Sequence, residues 1–261
     1  MRFTWALMRL VRLDSSILGF LTLFVPLLSR TRDAHESANR ALPLLFIWFC
    51  AFVANDLDDQ DRDGINHPAR PLPKGDLTPE VAVAVYFCSL ALSLLTIKQH
   101  VPEEQAFWYY GILAAFISYH YVVEHLPALK SVYVAGAIAA PIVLLTRFFP
   151  AEPKFVVVAG ATFCLVLGRE LCMDLLDRAG DRESTITRLP AAAVGAAAFG
   201  TQLLGVLQLL WIPTSAIDWS IVITMAAATA ISCLCWFGWS RQRIAIRIMK
   251  GQLLLGLVLL R

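Results

Sequence analysis

Apolar positions in this chain come in long, nearly unbroken runs, without the alternation or one-sided spacing of a soluble fold. A helix that crosses the hydrocarbon core of a bilayer needs ~20 mostly apolar residues. The pattern predicts nine such spans, at 15–29, 41–55, 80–97, 106–123, 131–148, 155–173, 191–211, 219–238 and 244–260. The first, second and ninth are short, and the ninth carries Arg247 and Lys250 near its start. Ahead of the first span, residues 3–13 (FTWALMRLVRL) form an amphipathic lead-in with Arg2, Arg9 and Arg12. No small-residue cleavage site follows before the polar stretch at 29–33, so the segment is read as part of the mature chain. The expected fold class is an all-α integral membrane protein.

Composition agrees. The 261 residues are 58% hydrophobic and 16% charged, against roughly 45–50% and 25% in soluble domains, and mean hydropathy is +0.64. This excludes a disordered chain, a basic nucleic-acid-binding domain and an ordinary cytosolic enzyme. Net charge is only +2, so strong electrostatics must come from local clustering. With the N-terminus in the cytoplasm, 15 of the 22 Lys and Arg residues fall on the cytoplasmic side of the nine predicted spans, as the positive-inside rule requires. The C-terminus is then expected outside. The six cysteines form no CxxC pair and five lie in or beside apolar runs, so they read as packing residues.

Charge clustering is where chemistry enters. Ten of the 20 carboxylates fall in two stretches, NDLDDQDRDGINHPARPLPKG at 55–75 and GRELCMDLLDRAGDRES at 168–184. Each begins at the cytoplasmic end of a predicted span, and acidic residues at membrane depth usually mark a site. Asp56, Asp59 and Asp63 stand at i, i+3 and i+7, and Asp174, Asp177 and Asp181 repeat that spacing, with Glu170 one turn earlier. On a continuous helix each triplet lines one face. Carboxylates so close need a compensating cation. Mg2+ suits them, because it takes few carboxylates and bridges to phosphate oxygens. Arg70, Lys74, Lys130, Arg178, Arg182 and Arg188 supply fixed positive charge around both stretches. Two facing triplets would carry a diphosphate between several ions.

Other readings fit less well. Interfacial anchoring accounts for one such cluster but not for two with matched spacing on one predicted side. Residues 59–64 open like a calcium-binding EF-hand loop, but its twelfth position, which needs a bidentate Glu, is Arg70. A transporter or channel would show carboxylates at the midplane, whereas these cluster at the interface among cations.

At these residues the sequence resembles the UbiA superfamily of intramembrane prenyltransferases. Asn55, Asp56, Asp59 and Asp63, followed by ArgProLeuPro and Gly75, are similar to that family's NDxxDxxxD motif. Asp174, Asp177 and Asp181, with Gly180, resemble its DxxDxxxD motif, and GlyArgGlu at 168–170 resembles the digeranylgeranylglyceryl phosphate synthase branch. Departures are Met173 where many members have Lys, Asp14 where many have Asn, and Val123, Glu124 and His125 where a Tyr–Lys pair often closes the fourth span. Lys130 is the candidate replacement for that Lys.

The resemblance implies one transmembrane domain over 1–261, a bundle of about nine helices around one central cavity. It implies Mg2+ as cofactor, held by Asn55, Asp56, Asp59, Asp63, Asp174, Asp177 and Asp181, with the aspartates catalytic. Asn55, Arg70, Lys74 and Lys130 would bind diphosphate. It also implies an allylic prenyl diphosphate donor, an aromatic, lipid or isoprenoid acceptor, and action within the lipid bilayer with no nucleic acid. Tyr119, Tyr121, Trp48 and Phe52 are the candidates for stabilising an allylic cation or meeting the acceptor, with Phe49, Trp108 and Tyr109 further aromatic candidates. His67, His120 and His125 lie close enough in sequence to touch substrate or accept a proton. The alternative outcome within the superfamily is a terpene cyclase, in which the chain's own double bond attacks.

Overall fold

Backbone amides in an apolar setting must find partners within their own segment, and a helix satisfies them locally. The computed structural model describes residues 2–150, 152–177, 189–212, 216–238 and 241–260, and every regular element among them is helical. The chain divides into two compact units, Met1–His125 and Leu126–Arg261.

The first unit opens with α1 (Arg2–Leu10) and α2 (Leu13–Thr31), which meet at Arg12, a non-glycine residue at φ 43°. A second left-handed residue, Arg32, ends α2, and Asp33 caps α3 (Ala34–Asp58) by accepting the Glu36 N–H at 3.0 Å. The chain thus reverses within two residues, and the start of α2 lies beside the end of α3. Helices α4 (Gln60–Asn66), α5 (Pro79–His100), α6 (Glu103–Ile117) and α7 (Tyr119–His125) follow. Helix α3 is central, packed on α2, α5 and α6. Gly75 takes φ 76° in the Pro-rich turn before α5, a conformation that favours glycine. At the end of the unit that holds the acidic segment, Ala6, Leu10, Val53, Leu72, Leu77 and Ala82 form a buried cluster.

The second unit holds a short 3-10 turn (Pro127–Leu129), then α8 (Lys130–Phe148), α9 (Lys154–Leu176), α10 (Ala191–Leu209), α11 (Ala216–Cys233) with a π-helical extension to Gly238, and α12 (Gln242–Leu259). Helix α9 is its hub, packed on α8, α10 and α12. Small residues bring α9 and α10 close. A Cβ on Gly168 would lie 2.4 Å from the Ala198 carbonyl oxygen, and one on Gly205 2.8 Å from that of Ala161. Gln202, buried between them, donates to the Leu165 carbonyl at 3.0 Å.

Among the described residues, seven helical stretches are long and apolar enough to cross a membrane: α2, α3, α5, α8, α9, α10 and Asp218–Phe237. The other two expected spans differ for physical reasons. The span expected at 106–123 is interrupted at Ser118, where α6 ends after 15 residues, a length of about 22 Å. The span expected at 244–260 lies in α12, whose first half carries Arg243, Arg247 and Lys250. The packing role expected for cysteine holds for Cys50, Cys164, Cys172 and Cys235, which are buried; Cys88 is exposed.

Candidate active site

The first acidic segment sits where α3 stops. Asp59 is the C-cap at φ −94°, ψ 14°, and α4 restarts at Gln60. The expectation that Asp56, Asp59 and Asp63 line one face of a continuous helix is therefore corrected. The break separates them into two groups.

Asp56 and Asp63 are 2% and 4% exposed and converge on Arg70. The Arg70 Nη1 group pairs closely with Asp63 Oδ2 and lies 3.4 Å from Asp56 Oδ1. Arg12 Nη2 donates to the same Asp56 oxygen at 2.6 Å, and its guanidinium stands 4.9 Å over the Phe52 ring. Two buried carboxylates are thus matched by two guanidiniums, the arrangement that makes a buried charge tolerable. Burial still pushes the Asp63 carboxyl above the ordinary carboxylate range, and the facing Arg70 charge pulls it back only in part. Arg9 Nη2 donates to the Ala69 carbonyl at 2.6 Å and so fixes the backbone next to Arg70.

Asp59 belongs to the second group. It accepts from Arg62 Nη1 at 3.3 Å and, with Asp58, Arg62, Tyr119, His120 and Glu124, lines an open cleft of about 180 Å³. His120 Nδ1 lies 3.1 Å from Asp58 Oδ2, and its Nε2 3.6 Å from Glu124 Oε2.

The remaining candidates of this unit are dispersed. Asn55 is half-buried and its carbonyl accepts the Asp59 N–H at 3.0 Å. Lys74 pairs with Asp76 at 2.7 Å. Trp48 and Phe52 stand two turns and one turn before Asp56 on α3 and stack at 5.5 Å between centroids, with Phe116 4.7 Å from Trp48. Tyr121 is exposed and stacks on His125 at 4.1 Å.

In the second unit Asp174, 3% exposed on α9, receives two contacts from the start of α8. Lys130 Nζ lies 3.1 Å from Asp174 Oδ1, and Ser131 Oγ donates to Oδ2 at 2.5 Å. Asp177 is the C-cap of α9, and Glu170 pairs with Arg169. Asp181, Arg178, Arg182 and Arg188 lie outside the described residues.

Among the described residues no three His, Cys, Asp or Glu side chains are gathered to hold an ion. The described motif residues present oxygen donors in small numbers, with Asp56, Asp63 and Asp174 balanced by arginine or lysine. That donor set fits Mg2+, which keeps waters and shares its coordination with substrate phosphates.

The model of the UbiA prenyltransferase family matches residues 18–248, a range that contains both acidic segments. The chain belongs to that family. Among curated proteins it is similar to digeranylgeranylglyceryl phosphate synthases. It is 30% identical to that of Natronomonas pharaonis over 52% of this chain and 49% of that one. It is 26% identical to that of Methanospirillum hungatei over 59% of each, and 28% identical to that of Pyrococcus furiosus over 62% of each. The matched part therefore spans about half to three-fifths of those relatives. A solved structure of a UbiA homolog from Archaeoglobus fulgidus bound to GPP and Mg2+ shares the fold, with TM-score 0.69 and 16% identity over 98% of this chain and 99% of that one. A structure of digeranylgeranylglyceryl phosphate synthase aligns with TM-score 0.66 and 18% identity, over 99% and 98%.

Two residues that contact the motif carboxylates, Arg12 in the first unit and Ser131 in the second, are not among the residues expected from the motifs. Arg12 carried a signal, a cation at the edge of an apolar run. Ser131 carried none beyond its place after Lys130.

Proposed function

We propose that this chain is a Mg2+-dependent, membrane-embedded prenyltransferase that ionises an allylic prenyl diphosphate and transfers the prenyl group to a lipophilic acceptor. The observation that carries the reading is the convergence of buried Asp56 and Asp63 on Arg70 at the end of an apolar helix. Buried carboxylates beside cationic side chains are what a site for a metal-bound anion requires. Carboxylates of both motifs, Asp181 included, serve the metal, with Asn55 as a neutral oxygen donor. Bound Mg2+ supplies Lewis acidity to the leaving diphosphate oxygens. Arg70, Lys74, Lys130 and Arg12 present positive charge where negative charge develops. Trp48, Phe52, Tyr119 and Tyr121 offer aromatic faces to the allylic cation. The chain acts as one catalytic domain, with its N-terminus and acidic loops on the cytoplasmic side. The names of the curated relatives make a glyceryl phosphate lipid the first acceptor to test.

The test is diphosphate release and product extraction from the reconstituted protein, with Mg2+, a panel of allylic diphosphates of increasing length, and the acceptor present or absent. Acceptor-dependent release that Asp56→Asn abolishes supports the transferase. Cyclic hydrocarbon or alcohol formed without acceptor identifies a cyclase instead. Release unaffected by Asp56→Asn sinks the reading.

A further inference from the structure

Helix α1 is apolar on two sides. Ala6 and Leu10 face the core with Val53, Leu72, Leu77 and Ala82. At 3.6 residues per turn, Trp5 and Met8 point away from that core, and they are 64% and 41% exposed. Phe3, also exposed, lies on the side of Leu7 and Leu10 at the helix start. Thr4 and Arg9 share the outer side with Trp5 and Met8, so α1 mixes exposed apolar side chains with polar and cationic ones, as a helix lying in a membrane interface does.

Connectivity identifies the cover. Only Val11 and Arg12 separate α1 from α2, so α1 ends within about 11 Å of the start of α2. Helix α2 is one of those long and apolar enough to cross a membrane. The uncovered face of α1 therefore continues the lipid-facing surface of α2 at the level of the headgroups, where Trp is enriched. The same segment also grips the candidate site. Arg9 holds the Ala69 carbonyl at 2.6 Å, next to Arg70, and Arg12 holds Asp56 at 2.6 Å.

We propose that α1 is an interfacial helix whose Trp5–Met8 face is seated in the lipid bilayer, and that this seating holds Arg9 and Arg12 where they organise the Ala69–Arg70 backbone and Asp56. The lipid contact stands on α1 and α2 alone. Its importance for turnover rests on the prenyltransferase reading, so the test does not use turnover.

The full-length chain is reconstituted in phosphatidylcholine vesicles containing a photoactivatable phosphatidylcholine. Labelled positions are mapped by mass spectrometry, and hydrogen exchange is followed over residues 66–77. In the wild type the label reaches residues 3–8. In the Trp5→Gln/Met8→Gln double variant that label is lost and residues 66–77 exchange faster. The apolar double variant Trp5→Phe/Met8→Leu restores both the label and slow exchange. A wild type labelled on α2 but not on residues 3–8 overturns the lipid contact, as does cross-linking of Trp5 or Met8 to a second copy of the chain. Loss of the label with unchanged exchange at 66–77 overturns the coupling, and so does failure of the apolar variant to restore slow exchange.

Discussion

Arg12 and Asp56 are 44 residues apart in sequence and 2.6 Å apart in space, joined across the hairpin of α2 and α3. Arg12 does this from a left-handed backbone, a conformation that costs a non-glycine residue about 1–3 kcal/mol. The ion pair and the Phe52 ring under the guanidinium offset that cost.

Arg12→Ala keeps the strained backbone and removes both contacts, leaving Asp56 with the longer Arg70 contact. It should lower stability by about 1–3 kcal/mol. Arg12→Gly should lose less, because glycine takes positive φ freely. Thermal unfolding in detergent ranks the two, and an Arg12→Gly variant less stable than Arg12→Ala contradicts the account.

The carboxylates should separate by environment. Asp56→Asn, Asp63→Asn and Asp174→Asn should each reduce Mg2+-dependent diphosphate release at least about 100-fold. Asp61, exposed in the same segment, is the internal control, and Asp61→Asn should stay within about twofold. Equal losses at Asp61 and Asp63 would show that segment charge, not buried geometry, matters.

Around Asp174, Ser131→Ala removes a neutral hydrogen bond and should cost about 1 kcal/mol. Lys130→Met leaves a 3%-exposed carboxylate without its cation and should cost about 3–5 kcal/mol before Mg2+ is added. Added Mg2+ should recover part of the Lys130→Met loss and little of the Ser131→Ala loss. Urea midpoints with and without Mg2+ decide it.

Acidity should change what Mg2+ does for stability. Asp63 holds its proton more tightly folded than unfolded, because burial raises its pKa. Without metal, its contribution is present below the unfolded pKa and is lost as pH rises through the raised one. Mg2+ competes with that proton and reverses the slope. The shift in unfolding temperature produced by Mg2+ should therefore grow as pH rises through the acid range, and Asp63→Asn should flatten the growth. A Mg2+ shift independent of pH would refute this.

Gly168 lies six residues before Asp174 on α9, where a Cβ would meet the Ala198 carbonyl oxygen at 2.4 Å. Gly168→Ala must push α10 away and should cost about 1–3 kcal/mol. Gly200→Ala on α10, where a Cβ meets nothing within 4 Å, should be neutral or mildly stabilising. Parallel unfolding curves distinguish the two.

Much of this was legible in the sequence because membrane insertion writes itself into local composition. Runs of apolar residues forecast the helices, though not the interruption at Ser118. What stayed hidden depended on contacts between distant residues. The break at Asp59 is one case, since nothing in the i, i+3, i+7 spacing says that the helix ends there. That break turns Asp59 toward Tyr119 and His120 instead of toward Arg70. The partnership of Arg12 with Asp56 is another, because it needs the reversal at Arg32 and Asp33 to bring two helix ends together. The pairing of Lys74 with Asp76 also stayed hidden, set by the turn before α5.

The pairing of Arg12 with Asp56 also bears on how the protein is made. Residues 12 and 56 are the opposite ends of one helical hairpin and emerge from the ribosome within the same stretch of synthesis. A nascent hairpin that brings its own counter-charge can enter the bilayer with its deepest carboxylate already neutralised, before the rest of the chain exists and before any ion reaches it. Biogenesis of the first two long helices then asks nothing of the ligands that the finished protein will later hold.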